Sequence, residues 1–377
     1  MSRIYLDYNA STPLAPQVAQ AMRVALEGHY GNPSSTHWAG ESAKALLEQS
    51  RAQVATLLGC RPDEIVFTSG GSESNNLALK GIFFARGRAR AHLITSAIEH
   101  PSIQEPCSFL ERLGARVTRL PVDGTGRVDP DDLRRAITPD TILISLMHAN
   151  NEVGTIEPIE TCARIAREHG VPLHTDAAQS VGKIRTRVDE LGVDLLSIAG
   201  HKMYAPKGVG ALYVRSGVKL EPLIHGAGHE GGRRAGTESV LLGAALGAAC
   251  ALAQDLGWTQ GVRELREHLW NSLQARFGDR VVLNGHAEYR LPNTLNVSFV
   301  GRSGTDILAA LDGIAASTGS ACHSGGVELS PVLRAMRVPE SVGAGAVRFS
   351  LGRTTTRGEI DETVELITRV AGDARFP

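Results

Sequence analysis

The chain has 377 residues, 42% of them apolar and 21% charged, with a formal net charge of -1. That length exceeds the usual span of one hydrophobic core, so two packed lobes are expected. An ordinary composition, with 41 glycines but no G-X-Y period, excludes a fibrous or disordered chain. The near-zero charge and the lack of a long basic run argue against binding nucleic acid or an anionic membrane, and leave small molecules and proteins as the partners.

The N-terminus, Met1-Ser2-Arg3-Ile4-Tyr5, lacks the charged-then-apolar pattern of a signal peptide. No stretch approaches the roughly 20 apolar residues of a membrane helix, so a cytoplasmic location is expected. Five cysteines, Cys60, Cys107, Cys162, Cys250 and Cys322, are widely spaced without a C-x-x-C pair. Neither a disulfide framework nor a zinc site is indicated, and most should be buried thiols.

Along the chain, short β-branched or apolar runs recur at 64–68, 93–96, 142–147, 171–175, 195–198 and 210–214. Helix-compatible stretches at 40–58, 102–113, 130–137 and 158–169 lie between several of them. The rhythm predicts an α/β lobe with a largely parallel sheet. Residues 238–276 read as a long Ala- and Leu-rich helix with Gly257-Trp258 as its break point. Beyond it Leu295-Asn296-Val297-Ser298-Phe299 alternates like a strand, and the texture becomes that of a separate α+β lobe. The expected division is a large domain, 13–257, and a small domain made of 1–12 and 258–377.

Open α/β sheets place ligands at the carboxyl ends of their strands, and polar clusters follow several of these runs. After 64–68 comes Thr68-Ser69-Gly70-Gly71-Ser72-Glu73-Ser74-Asn75-Asn76. Free backbone N–H groups at a helix start suit a phosphate there, although the same residues also make an ordinary strand-to-helix turn. After 93–96, Ala97-Ile98-Glu99-His100-Pro101 brings an imidazole to stack on a ring, to transfer protons or simply to pack in a loop. His174-Thr175-Asp176-Ala177-Ala178-Gln179 puts a carboxylate after a strand, where it either meets a buried pyridine nitrogen or caps the next helix. Ser197-Ile198-Ala199-Gly200-His201-Lys202 follows with one of only six lysines in the chain. A phosphate turn, then an Asp, then a Lys at successive strand ends is the order expected of a pyridoxal-phosphate site. In the other lobe, Ser317-Thr318-Gly319-Ser320-Ala321-Cys322-His323-Ser324-Gly325-Gly326 surrounds a thiol with small residues, as suits a mobile nucleophile activated by His323 or a nearby cation.

Together these segments resemble the cysteine desulfurases of the class V aminotransferase family, NifS-like branch, over essentially the whole chain. The resemblance extends to Tyr5-Leu6-Asp7-Tyr8-Asn9-Ala10-Ser11-Thr12-Pro13, Gly31-Asn32-Pro33-Ser34-Ser35-Thr36-His37, Met147-His148-Ala149-Asn150-Asn151-Glu152-Val153-Gly154, His225-Gly226-Ala227-Gly228-His229-Glu230, Arg234-Ala235-Gly236-Thr237 and Arg348-Phe349-Ser350-Leu351-Gly352-Arg353. It implies the PLP-dependent transferase (aspartate aminotransferase-like) fold, pyridoxal 5'-phosphate as cofactor, a homodimer with active sites at the subunit interface, and conversion of L-cysteine to L-alanine. Lys202 would be the Schiff-base lysine, Asp176 the pyridinium partner, Gln179 the donor to the ring hydroxyl and His100 the stacking imidazole. Gly71, Ser72 and His201 would hold the phosphate, with Thr237 reaching across from the other subunit. Asn151 and Arg348 would hold the substrate carboxylate, and Cys322, on a mobile loop, would accept the sulfur as a persulfide. The sulfur would pass to an acceptor protein such as an iron-sulfur scaffold or a tRNA-thiolation carrier.

Three positions depart from the family pattern. Ala199 stands where a Ser is common in the phosphate cup, Gly231 where an Arg is common, and His323 where a Thr is common. Ala321-Cys322-His323-Ser324 is similar to selenocysteine lyases, which leaves release of selenium from L-selenocysteine as the alternative activity.

Overall fold

The structure is a computed structural model, and it describes residues 3–87, 90–318 and 329–372. Its strands are, in chain order, β1 (Ile4–Tyr5), β2 (Ile65–Thr68), β3 (His92–Ser96), β4 (Arg116–Leu120), β5 (Thr141–Ser145), β6 (Leu173–Asp176), β7 (Leu195–Ala199), β8 (Gly210–Val214), β9 (Val281–Asn284), β10 (Thr294–Phe299), β11 (Ile314–Ala315) and β12 (Ala346–Ser350). The first four helices are α1 (Pro16–Gly28), α2 (Trp38–Leu58), α3 (Gly71–Arg86) and α4 (Pro101–Arg112).

Seven strands form the central sheet in the order β2-β8-β7-β6-β5-β3-β4. All neighbours from β7 to β4 are parallel, whereas β8 is antiparallel to both β7 and β2. Two antiparallel steps restore the original direction. The carboxyl ends of β2, β3, β5, β6 and β7 therefore share one edge, and the residues that follow each of them converge there.

The apolar runs are nearly continuous because the sheet is covered on both faces. Alternate side chains go to opposite sides. Ile65, Phe67, Ile94, Ile144 and Leu196 join one core cluster, whereas Val66, Leu93, Leu143 and Leu195 join another. A third cluster lies around the antiparallel sheet β12-β10-β9 and includes Leu269, Phe277, Phe299, Phe349, Ile360 and Ile367. Ile4 and Leu6 are buried in that third cluster, because β1 pairs in parallel with β11 through Ile4 opposite Ile314. The N-terminal segment then crosses to the large sheet, with Thr12 N donating to His201 O at 2.9 Å.

The six expected strand runs are all present, and the long helix expected over 238–276 divides into Val240–Ala253 and Trp258–Phe277. Its two parts are bent by 75°. Three further elements carry a weaker sequence signal. β4 is an edge strand of which only Leu120 is buried, so no apolar run announces it. Helix α1 buries only Val18 and Ala25. The closing helix Arg357–Gly372 carries a narrow stripe of Ile360, Val364, Ile367 and Ala371. Cys107, Cys162 and Cys250 are buried free thiols and Cys60 is half-buried. Burial pushes the thiols of Cys60, Cys107 and Cys162 up to about 12, so they are poor nucleophiles. Among the described residues no single helix is long and apolar enough to cross a membrane.

Candidate active site

A cleft of about 390 Å³ opens at the shared carboxyl edge of the sheet. Gly71, Ser72, His100, Asn151, Asp176, Gln179, His201, Lys202 and Arg348 all line it. Sequence positions from 71 to 348 are thus gathered into one site. Thr237 is exposed and is not among the lining residues. Cys322 lies outside the described residues.

One end of the cleft is built for an anion. Gly70 has φ 146°, a conformation that favours glycine, and it turns the chain from β2 into the 16-residue helix α3. The first amides of that helix have no intrahelical acceptor and carry the positive end of its dipole. The turn is clamped by Glu73, whose carboxylate accepts from Ser69 N at 2.8 Å and from Arg234 Nε at 3.0 Å. A Cβ on Gly71 would stand 3.3 Å from Cβ of Ala199, so the cradle is narrow as well as rich in N–H groups. His201 Nδ1 is buried without a partner among the described residues. Burial and the neighbouring Lys202 push its imidazole down to about 4, which keeps it neutral, with one nitrogen to donate.

At the other end Asp176 closes β6. Its Oδ2 accepts from Asn75 Nδ2 at 2.7 Å and its Oδ1 from Ala178 N at 2.9 Å. Asn75 Nδ2 also donates to Ser102 Oγ at 2.8 Å. Ser102 Oγ lies 2.8 Å from His100 Nδ1, which also accepts from Ser102 N at 3.1 Å. With Nδ1 an acceptor, the ring proton of His100 belongs on Nε2. One network therefore fixes both the carboxylate and the imidazole. The ring of His100 stays open to solvent at the cleft, yet the protein mass behind it, followed by Lys202, lowers its pKa against an opposing pull from Asp176.

Lys202 ends a single helical turn after β7. Its Nζ donates to Asn9 O at 2.6 Å and Ala10 O at 2.9 Å. Burial, with Arg348 nearby, pushes the amine down to about 8 although Asp176 and Asp7 pull the other way. An amine tuned in this direction is a competent nucleophile and base near neutrality. Arg348, buried in β12, donates from Nη1 to Asn151 O at 2.9 Å and from Nη2 to Asp7 Oδ1 at 2.7 Å. Its Nε is buried without a partner among the described residues, so one guanidinium donor is not spent on the protein. Asn9, Asn75, Ser102 and Asp7 also shape the site, although reading the sequence alone assigns them no individual roles. The available signal was position: Asn75 is one turn into α3, four residues after Gly71, and Ser102 is two residues after His100.

Residues 4–363 match the family model described as Aminotransferase class-V. The chain belongs to the class V aminotransferase family. Similar relatives include the cysteine desulfurase IscS of Dictyoglomus turgidum, 48% identical with 97% of this chain and 94% of the relative covered. The mitochondrial cysteine desulfurase of Arabidopsis thaliana is 44% identical, with 97% and 82% covered. Among solved structures, a NifS-like protein superposes with a TM-score of 0.92 at 36% identity, covering 98% of this chain and 99% of that one. Another, SspA in complex with cysteine, superposes with a TM-score of 0.84 at 39% identity, covering 94% and 100%.

The fold is that of the PLP-dependent transferases, and the family's cofactor is pyridoxal 5'-phosphate. The residues present fit it. The orphaned nitrogen of His201 and the narrow amide cradle at Gly71 suit a phosphate. A carboxylate, an amide and a downshifted amine line the remainder of the same cleft, as a pyridinium, a ring hydroxyl and a carbonyl carbon require.

Proposed function

We propose that this protein is a pyridoxal-phosphate-dependent cysteine desulfurase that converts L-cysteine to L-alanine and takes the sulfur onto Cys322 as a persulfide. The observation that carries the reading is the convergence of Lys202, Asp176, Gln179, His100 and Arg348 on one cleft, in a chain 48% identical to a cysteine desulfurase over nearly its whole length.

Each residue then has a task. The amide cradle of Gly71 and Ser72, together with His201, holds the phosphate, and Thr237 of a second copy completes that grip in a homodimer. Asp176, kept in place by Asn75 and Ala178 N, pairs with the pyridine N–H, and Gln179 donates to the ring hydroxyl. When bound, the cofactor supplies an electrophilic carbonyl carbon and an electron sink for the pair released at the substrate Cα. Lys202 would anchor the cofactor through its carbonyl carbon, and its amine is the base placed to move the substrate Cα proton. Arg348 and Asn151 grip the substrate carboxylate; the guanidinium fork suits two carboxylate oxygens. His100 covers the cleft and serves as proton donor from Nε2.

The Cys322 thiolate attacks the substrate sulfur. A sulfur–sulfur bond forms, the Cβ–S bond breaks, its electron pair stays with the three-carbon fragment, and protonation of that fragment completes alanine. The balance is L-cysteine plus enzyme thiol to L-alanine plus enzyme persulfide. We assign 13–257 to the large lobe, and 1–12 with 258–377 to the small lobe that carries Cys322. The persulfide passes to an acceptor protein, such as an iron-sulfur scaffold or tRNA-thiolation carrier, in the cytoplasm.

Mass analysis of alkylated protein after incubation with L-cysteine tests the assignment: one added sulfur on the peptide containing Cys322 is expected. Turnover of L-selenocysteine with no sulfur added from L-cysteine would favour a selenocysteine lyase.

A further inference from the structure

Beneath the cleft lies a lysine for which the proposed reaction has no use. Lys183 is 5% exposed, and its Nζ donates to Gln179 Oε1 at 2.9 Å and to Asn9 Oδ1 at 3.4 Å. Both acceptors are neutral amides, and among the described residues no carboxylate pairs with it. The charged groups that act on it are Lys202 and Arg348, both cationic. Lys183 also lines a small cavity together with Lys202, Tyr204 and Arg353. Burial with these like charges pushes the amine down to about 7. A buried amine without a counterion is costly, so its place against Gln179 calls for a reason.

The reason lies in the amide of Gln179. Its Nε2 donates to Asn9 O at 3.0 Å while its Oε1 accepts from Lys183. A backbone carbonyl can face only the NH2 end of an amide, and an ammonium can face only the oxygen end. The two contacts therefore agree on one orientation and hold the amide at both ends. The second hydrogen on Nε2 remains for the cleft that Gln179 lines. Asn9 is held in turn by Asn293 Nδ2 at 3.0 Å and by Thr294 Oγ1 at 2.9 Å, so Lys183 bears on a fixed frame at the start of β10.

We propose that Lys183 is a positioning residue of the cofactor site: by clamping Gln179 Oε1 against the Asn9 frame, it directs the Gln179 N–H at the ring hydroxyl of pyridoxal phosphate. The inference rests on the cofactor reading given above and extends it to a residue that does not itself touch the cofactor. Without Lys183 the Gln179 oxygen is left buried and unpaired, the amide rotates to satisfy it, and the donor to the ring oxygen is lost. A ring oxygen without its donor is more basic and holds the neighbouring proton more tightly.

The test is a pH titration of the visible absorbance of the purified holoprotein, with cofactor affinity measured alongside. Lys183→Met is expected to raise the absorbance midpoint by about one pH unit, a tenfold change in the proton equilibrium, and to weaken pyridoxal phosphate binding, and Lys183→Gln, whose shorter amide can still donate, should show the same shift in smaller measure. Lys183→Arg, which still only donates, should restore the midpoint toward wild type. Gln179→Leu should shift it similarly, and adding Lys183→Met to Gln179→Leu should shift it little further, because the two act as one unit. Unchanged midpoints and affinities in folded Lys183→Met and Lys183→Gln, or full additivity with Gln179→Leu, would overturn the role of Lys183. Alanine release scored in parallel separates the two ideas: a wild type that binds the cofactor but releases no alanine contradicts the desulfurase reading instead.

Discussion

Replacing Asp176 by Asn keeps size and shape but removes the charge assigned to the pyridine N–H. In the native site both carboxylate oxygens accept, one from Asn75 Nδ2 at 2.7 Å and one from Ala178 N at 2.9 Å. An amide can offer an oxygen to only one of them, so its NH2 must face the other donor. Against Ala178 N there is no relief. Against Asn75 the relief is a flip of the Asn75 amide, which withdraws the N–H from Ser102 and loosens the His100 network. A buried donor left facing a donor costs about 1–3 kcal/mol. The lost charge matters more for the rate. An opposite charge at contact distance moves a pKa by about 1–3 units, each unit being about 1.4 kcal/mol or a factor of ten. The expected fall in kcat for alanine release is therefore about 10- to 1,000-fold, measured with cofactor occupancy verified by absorbance. An Asp176→Asn protein with full occupancy and kcat within about twofold of wild type would refute the pairing.

Arg348→Lys exchanges a fork for a point charge, and KM for L-cysteine should rise about 10- to 100-fold with a smaller change in kcat; an unchanged KM would remove Arg348 from the carboxylate site. In apoprotein the Lys202 amine, pushed down to about 8, must be neutral to capture pyridoxal phosphate. The capture rate followed by stopped-flow absorbance should rise with pH and level off above about 8, whereas a midpoint near the ordinary ~10.4 of lysine would contradict its burial. Burial pushes the Glu157 carboxyl up to about 8, so the native state holds a proton there that the unfolded chain releases near ~4.3. The stability contributed by this neutral acid is complete below that value and is lost as pH rises through 8. Urea denaturation should show Glu157→Gln gaining on wild type between about pH 5 and 9, and parallel curves would argue against the buried acid.

The fold was legible wherever both faces of a strand are covered. β2, β3, β7 and β8 are buried along their full length and read as mainly apolar runs, whereas β6 is equally buried but carries His174, Thr175 and Asp176. β4 escapes that signal because Arg116 and Arg119 sit on a sheet edge, where Arg119 pairs with Glu111 at the surface. Site positions were legible for a related reason: a parallel sheet sends the residue after each strand to a common edge, so Asp176, Lys202 and His100 announce themselves by place. Residues that act through partners distant in sequence could not be read this way. Asn75 meets Asp176 across 101 residues and Lys183 meets Asn9 across 174. Lys183 was the most accessible of these, since it is four residues beyond Gln179 in a chain with only six lysines, but its burial is a property of the folded protein.

Alanine release from L-cysteine by cofactor-loaded wild type and Cys322→Ala, with L-selenocysteine run in parallel, tests the central claim most directly. Turnover of cysteine by the wild type that is lost in Cys322→Ala is the predicted result. Retention of the cysteine activity by Cys322→Ala, or turnover of selenocysteine alone, would contradict it.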